Sequence, residues 1–457
     1  MHGTSLAEAN RLSAHAAAAA IRSGQLSSLD LTMACLARIE ARDGSIGAWS
    51  HLATDSAIAR ARRADERQRA GAELGPLHGL PIGIKDVFDT CDMPSEYGSP
   101  SLAGRRPEVD ADAVAVLRRA GAIIMGKTVT SEFGMYARTS CRNPHDVGRS
   151  PGVSSAGSAA AIADAMVPLA LGTQHTASTL MPASFCGVFG FKPSFGFTSM
   201  RGSNILVPRL ANVGFLARGV DDLALFASAF AGEFADAVPA LPPQRLGYVH
   251  GPAWKRVAAD ADMTFGGLLK RLPVAVDELA LPAAFDRAVD VTLGLLSAHL
   301  AHRFGSQPDM VRQSYCAALR DGIAAGLALD AADYLALEAE ADRLAAAARD
   351  LFRSCDAFIT LTTPGEACLI ADGPGSGEMT IPWSLAGLPT LSLPLLKGAN
   401  GLPIGVQLVG APGDDARLLS IASWLTAAAV RFQSAESPTP FRQASSEEVW
   451  SDTIAPM

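Results

Sequence analysis

Stretches of helical periodicity alternate along this chain with short, unbroken apolar runs. Leu31, Cys35 and Ile39 repeat at helical spacing, and residues 5–43 predict two helices broken at Ser23-Gly24-Gln25-Leu26. The second is capped at Ser27 or Ser28, with Asp30 in its first turn. Ser56 to Arg69 predicts another helix with a solvated face dense in Arg and Asp. Pro76 to Asp86 turns into a short apolar strand ending in Lys85. Ala111 to Ala120 then predicts a helix and Ala122 to Met125 a buried strand, the strand–helix–strand alternation of parallel sheets. Ser158 to Met166 is a helix-forming run and Val167 to Leu171 a buried strand. Val220-Asp221-Asp222 starts a helix with acidic residues where the helix dipole favours them. Arg245 to Val249 predicts a strand, and alanine-rich helices dominate from Ala258 to Phe352, with Tyr334 to Phe352 as one strong helix. Asp356 to Pro364 and Pro403 to Gly410 return to strand before a last helix, Asp415 to Ala428. No repeat or low-complexity linker interrupts the chain, so residues 1–457 read as one domain with a helix-rich variable region at 239–352.

The stretch from Arg149 to Pro193 combines small residues, hydroxyls and glycines with almost no charge. Ser154-Ser155-Ala156-Gly157-Ser158 is a turn-like cluster opening into a helix, and Gly172 begins a second small-residue loop that ends at Ser178. Strand, loop and helix start in this order leave backbone N–H groups exposed beside candidate nucleophiles. A base is still needed. His175 is the only histidine of the stretch, and no acid is identifiable to orient its ring. Gly152-Val153-Ser154-Ser155-Ala156 fails the Gly-x-Ser-x-Gly elbow at its last position. Lys85, ending an apolar strand in Gly79-Leu80-Pro81-Ile82-Gly83-Ile84-Lys85-Asp86, is the better candidate. Burial disfavours the charged ammonium, and a neutral lysine can take a proton from a serine.

Taken singly these residues are ordinary: an edge lysine, turn serines, a helix-cap serine. Together, GLPIGIKD, PGVSSAGSAAA and GTQHTAS…PASFCGVFGFKP resemble the amidase signature family of Ser-Ser-Lys amide hydrolases, with Ser178 lying 24 positions after Ser154. The resemblance continues to TIPWSLAGLPTLSLP and GLPIGVQLVG. It implies an α/β fold with a large mixed, mostly parallel β-sheet covered on both faces by helices. It also implies Ser178 as nucleophile, Ser154 as a bridging serine held by a cis peptide bond, and Lys85 as base. The N–H groups of His175, Thr176, Ala177 and Ser178 would form the oxyanion hole, and Ser155, Met181 and Trp383 would contact substrate. The 239–352 region would shape the substrate pocket. A homodimer is compatible with the resemblance, and no cofactor or metal is called for.

Three departures accompany the match. His175-Thr176-Ala177 stands where the family commonly has Thr-Gly-Gly, adding side chains at positions where glycine lets backbone approach a substrate. GVSSAG replaces GGSSGG. Met181 occupies a position where many members place arginine, which argues against a glutaminase or a tRNA amidotransferase component that must hold a carboxylate.

Composition narrows the reading further. The chain has 457 residues, 49% hydrophobic and 18% charged, with a net charge of −8, so neither nucleic acid nor an anionic membrane is an expected partner. No apolar run approaches the roughly 18–20 residues of a membrane span. The seven cysteines are scattered without a CxxC pair, and the N-terminus lacks the order of a secretory signal, so a cytoplasmic setting is expected. GAIIMGKT matches a phosphate-loop spacing, yet its interior is strand core rather than glycine-rich loop. The expected activity is hydrolysis of a small, largely apolar or aryl amide through a Ser178 acyl-enzyme. A catalytically impaired binding or regulatory protein, and an acyltransferase using the same site, are the alternatives.

Overall fold

The structure is a computed structural model and describes residues 6–232 and 239–436. Eleven strands form one sheet. They are β1 Trp49–Leu52, β2 Pro81–Lys85, β3 Ile123–Thr128, β4 Leu169–Gln174, β5 Phe189–Lys192, β6 Asn212–Ala217, β7 Leu246–Tyr248, β8 Val276–Glu278, β9 Ala357–Leu361, β10 Thr390–Lys397 and β11 Pro403–Gly410. Their order across the sheet is β1-β3-β2-β4-β6-β5-β10-β11-β9-β7-β8.

The sheet is mixed, as expected, but it is not mostly parallel. β2 pairs in parallel with β3 and β4, and β7 with β8 and β9; the other six pairings are antiparallel. The strand–helix–strand pattern of the first half governs only its own strands, while the middle is built from β6, β5, β10 and β11, which meet antiparallel. Helices cover both faces. The Ala156–Ala163 helix packs on β2 and β4, the Leu180–Cys186 helix on β5, β10 and β11, and the Val220–Ser228 helix on β5 and β6.

Local signals explain most elements. Ser27 caps the Ser28–Ile46 helix, its hydroxyl accepting from the Asp30 N–H. The helix expected at Ser158–Met166 begins and ends earlier, at Ala156–Ala163. Its following strand continues to Gln174, because β6 offers partners for Gly172, Thr173 and Gln174 at Gly214, Val213 and Asn212. The Gly126-Lys127-Thr128 triplet is buried strand, and Lys127 pairs with Asp86 at 3.2 Å, so no phosphate loop forms there. Within 258–352 the helices include the expected long one, Ala331–Leu351, and enclose one short strand, β8.

Among the described residues no helix is long and apolar enough to cross a membrane.

Candidate active site

Two parallel neighbours in the sheet, β2 and β4, deliver the first part of the site. Lys85 ends β2 with its side chain fully buried, and its Nζ lies 2.8 Å from both Ser154 Oγ and Thr173 Oγ1. Ser154 Oγ in turn lies 2.8 Å from Ser178 Oγ. Residues 85, 154 and 178 thus form one unbroken chain of contacts. Among the described residues no carboxylate joins it, and burial holds the Lys85 amine well below its ordinary pKa.

Ser154 is held without the cis bond that the resemblance implies. Every described peptide bond is trans, the form favoured by roughly 3–4 kcal/mol outside X–Pro bonds. Ser155 fixes the cluster instead: its hydroxyl donates to the Thr173 carbonyl at 3.2 Å and accepts from the Thr173 N–H at 3.4 Å. Gly172 permits this approach, since a Cβ there would stand 2.9 Å from Ser155 Oγ.

The loop from His175 to Ser178 is shaped from three sides. Gln174 Oε1 accepts from the N–H groups of Thr179 and Leu180, taking the place of an N-cap side chain for the Leu180–Cys186 helix. The Thr176 carbonyl accepts from Thr380 Oγ1 at 3.0 Å and Ser384 Oγ at 2.8 Å. His175 Nε2 accepts from the Leu206 N–H at 3.2 Å, which puts the ring proton on Nδ1. Burial above all pushes the His175 pKa down to about 3, so the ring is neutral. The backbone N–H groups of His175, Thr176, Ala177 and Ser178 donate to no acceptor among the described residues.

A sequence model of the family described as Amidase matches residues 30–419. The chain belongs to the amidase family. It is similar to a glutamyl-tRNA(Gln) amidotransferase subunit from Chloroflexus aggregans, with 34% identity covering 91% of this chain and 96% of the relative. A solved structure described as an amidase superposes with a TM-score of 0.84 at 31% identity, covering 91% of this chain and 99% of the other. The native peptide amidase of Stenotrophomonas maltophilia follows at 0.77 and 27%, covering 90% and 96%. The family and the mixed-sheet fold expected from the sequence are therefore both established, and the chain is an amidase-type enzyme.

Within this amidase, the other predicted contact residues have different surroundings. Met181 is fully buried in a small apolar cluster with Val153, Ala177, Phe185 and Ala367, against Tyr136. Trp383 is 1% exposed and packs between Phe285 and Phe358, at 5.3 and 4.8 Å between ring centres. It packs in the core, next to Ser384, whose hydroxyl holds the Thr176 carbonyl. Ser155 is likewise fully buried and spent on Thr173. Sequence reasoning missed Thr173, Gln174, Thr380 and Ser384. The one signal for the last two was the density of hydroxyls in TIPWSLAG.

Proposed function

We propose that this amidase hydrolyses a small amide with a largely apolar or aryl acyl part, through an acyl-enzyme on Ser178. The observation that carries the reading is the closed contact chain Lys85–Ser154–Ser178 beside four N–H groups that lack acceptors. With its amine neutral, Lys85 accepts the Ser154 hydroxyl proton while Ser154 Oγ accepts that of Ser178. Ser178 Oγ adds to the amide carbonyl, and the developing oxyanion is met by the N–H groups of residues 175–178. Collapse breaks the C–N bond; the amine leaves with the proton returned along the same relay. Water, deprotonated by that relay, then releases the acid and frees Ser178.

Met181 supports an apolar acyl part, because its cluster places thioether, methyl and ring groups beside Ala177. The similarity to amidotransferase subunits supports a second reading, glutamine as amide donor, so glutamine belongs in any substrate panel. A reducing, cytoplasmic setting suits seven cysteines that form no disulfide.

The test is intact-protein mass spectrometry after treatment with a fluorophosphonate. A single adduct on the wild type, absent from Ser178→Ala, is expected. A folded wild type that takes no adduct refutes the reading, and labelling that persists in Ser178→Ala moves the nucleophile elsewhere.

A further inference from the structure

A cavity of about 480 Å³ lies beside the site, walled by Tyr97, Arg105, Phe133, Arg303, Phe304 and Tyr315 among others. Four close approaches tie it to the reacting groups. Phe133 precedes Gly134, where a Cβ would stand 3.9 Å from Ser154 Oγ. Segment 204–206 runs between the two: Asn204 Nδ2 donates to the Phe133 carbonyl at 2.6 Å, and Leu206 N–H donates to His175. Between them, the Ile205 carbonyl accepts from Arg303 at 3.1 Å. The cavity and the Ser178 loop thus share one short wall. Phe133 itself holds φ at +49°, an uncommon conformation for a side-chain-bearing residue and one that tends to occur at ligand sites.

The two cations of the cavity differ in how they are compensated. Arg105 is forked onto Asp89 at 2.7 and 2.9 Å and stacks over Tyr97. Among the described residues Arg303 meets no carboxylate: it donates to Ile205, and its guanidinium lies over Phe304 at 4.9 Å and near Phe133 at 5.8 Å. The carboxylate near Tyr315, Glu132, is engaged by Ser99 Oγ and the Cys316 N–H. A guanidinium exposed to a cavity, flanked by aromatic faces and without a counter-ion among the described residues, is suited to a planar anion brought in by a ligand. The cation that Met181 does not supply is thereby present on another element, the Ala288–Phe304 helix.

We propose that this cavity is a subsite for a carboxylate carried by the substrate, held by Arg303 while the scissile amide lies at Ser178. The substrate class becomes an amide with an apolar chain between its reacting carbonyl or nitrogen and a terminal carboxylate; this rests on the reading of Ser178 as nucleophile. Phe133 and Phe304 face the chain and Arg303 holds its end.

Two matched pairs test the subsite and the side of the amide it serves. Adipic acid monoamide is compared with heptanamide, and N-hexanoylglycine with N-propylhexanamide. Wild type is expected to favour the carboxylated member of one pair by at least about tenfold in kcat/KM, the size of a charge-assisted contact. Arg303→Ala should lower kcat/KM at least tenfold more for that compound than for its neutral partner, and Arg303→Lys should retain part of the preference. Equal turnover within both pairs, or an equal loss on both members in Arg303→Ala, overturns the proposal. If no amide turns over and Ser178 takes no label, calorimetry with the same four compounds still reads the subsite. Carboxylate binding that Arg303→Ala abolishes, in a protein with unchanged thermal midpoint, supports it; carboxylate binding that is absent or unaffected overturns it.

Discussion

Ala177 and Gly377 are fitted to each other across two hundred positions of sequence: a Cβ on Gly377 would stand 2.3 Å from the methyl of Ala177. The side chain that Ala177 adds beside Ser178 is thus matched by one removed from the strap lying over it. Gly377→Ala is expected to destabilise the fold by about 1–3 kcal/mol, the usual cost of overpacking, and to lower kcat by disturbing the loop. Ala177→Gly in the same chain should recover most of both. A double-mutant cycle in thermal midpoint and kcat checks the coupling, and additive losses would show the pair to be independent.

Thr173 supplies the second hydroxyl on the Lys85 amine. Thr173→Val keeps the shape and removes the partner, leaving a buried amine with one contact. A loss of about 1–3 kcal/mol in transition-state stabilisation is expected, read as a tenfold to hundredfold fall in kcat/KM. Thr173→Ser should restore most of it.

The pH dependence should carry the signature of a buried lysine and none of a histidine. In the proposed relay Lys85 acts as the neutral amine, so kcat/KM is expected to rise with pH as that proton leaves, with a midpoint below the ordinary 10.5. His175, at about 3, contributes no inflection between pH 5 and 8. His175→Gln keeps an acceptor for Leu206 and should leave the shape of the profile unchanged; an inflection near 6.5 that disappears in this variant would return the histidine to the mechanism.

Lys192 offers a stability test away from the chemistry. Burial lowers its pKa to about 7, opposed by Asp415, and its Nζ donates to the Pro193 carbonyl. Between pH 7 and 10.5 the unfolded chain holds a proton that the folded chain has released, so this group makes stability rise with pH. Lys192→Met, of similar volume, removes that dependence, and Asn212 still donates to the Pro193 carbonyl. The variant should gain at least about 1 kcal/mol at pH 7 relative to wild type, and the gain should shrink toward pH 10.5 in denaturant titrations.

Much of this arrangement could be read before any coordinates. An apolar strand ending in lysine and two small-residue loops placed Lys85, Ser154 and Ser178, and the Ser27 cap and the long Ala331–Leu351 helix followed from local pattern. β5 and β6 were not read, because glycine interrupts their short apolar runs, and β10 was not read because Pro394 breaks the Thr390-Leu391-Ser392-Leu393 alternation. The surroundings of Ser155 and Trp383 were not legible for a different reason: adjacency to a site in sequence does not say which way a side chain points. Gln174 as a helix cap, and the pairing of Ala177 with Gly377, depend on contacts that only the folded sheet creates.

The tether between the Thr176 carbonyl and the hydroxyls of Thr380 and Ser384 has a temporal consequence. During synthesis Ser178 leaves the ribosome some two hundred residues before the groups that fix its neighbouring loop. A nascent chain therefore carries lysine and both serines without the hydroxyls that hold the loop beside Ser178, and a fragment truncated before residue 380 stays in that condition. The loop beside Ser178 is therefore tied down only once residues 380–384 have been made.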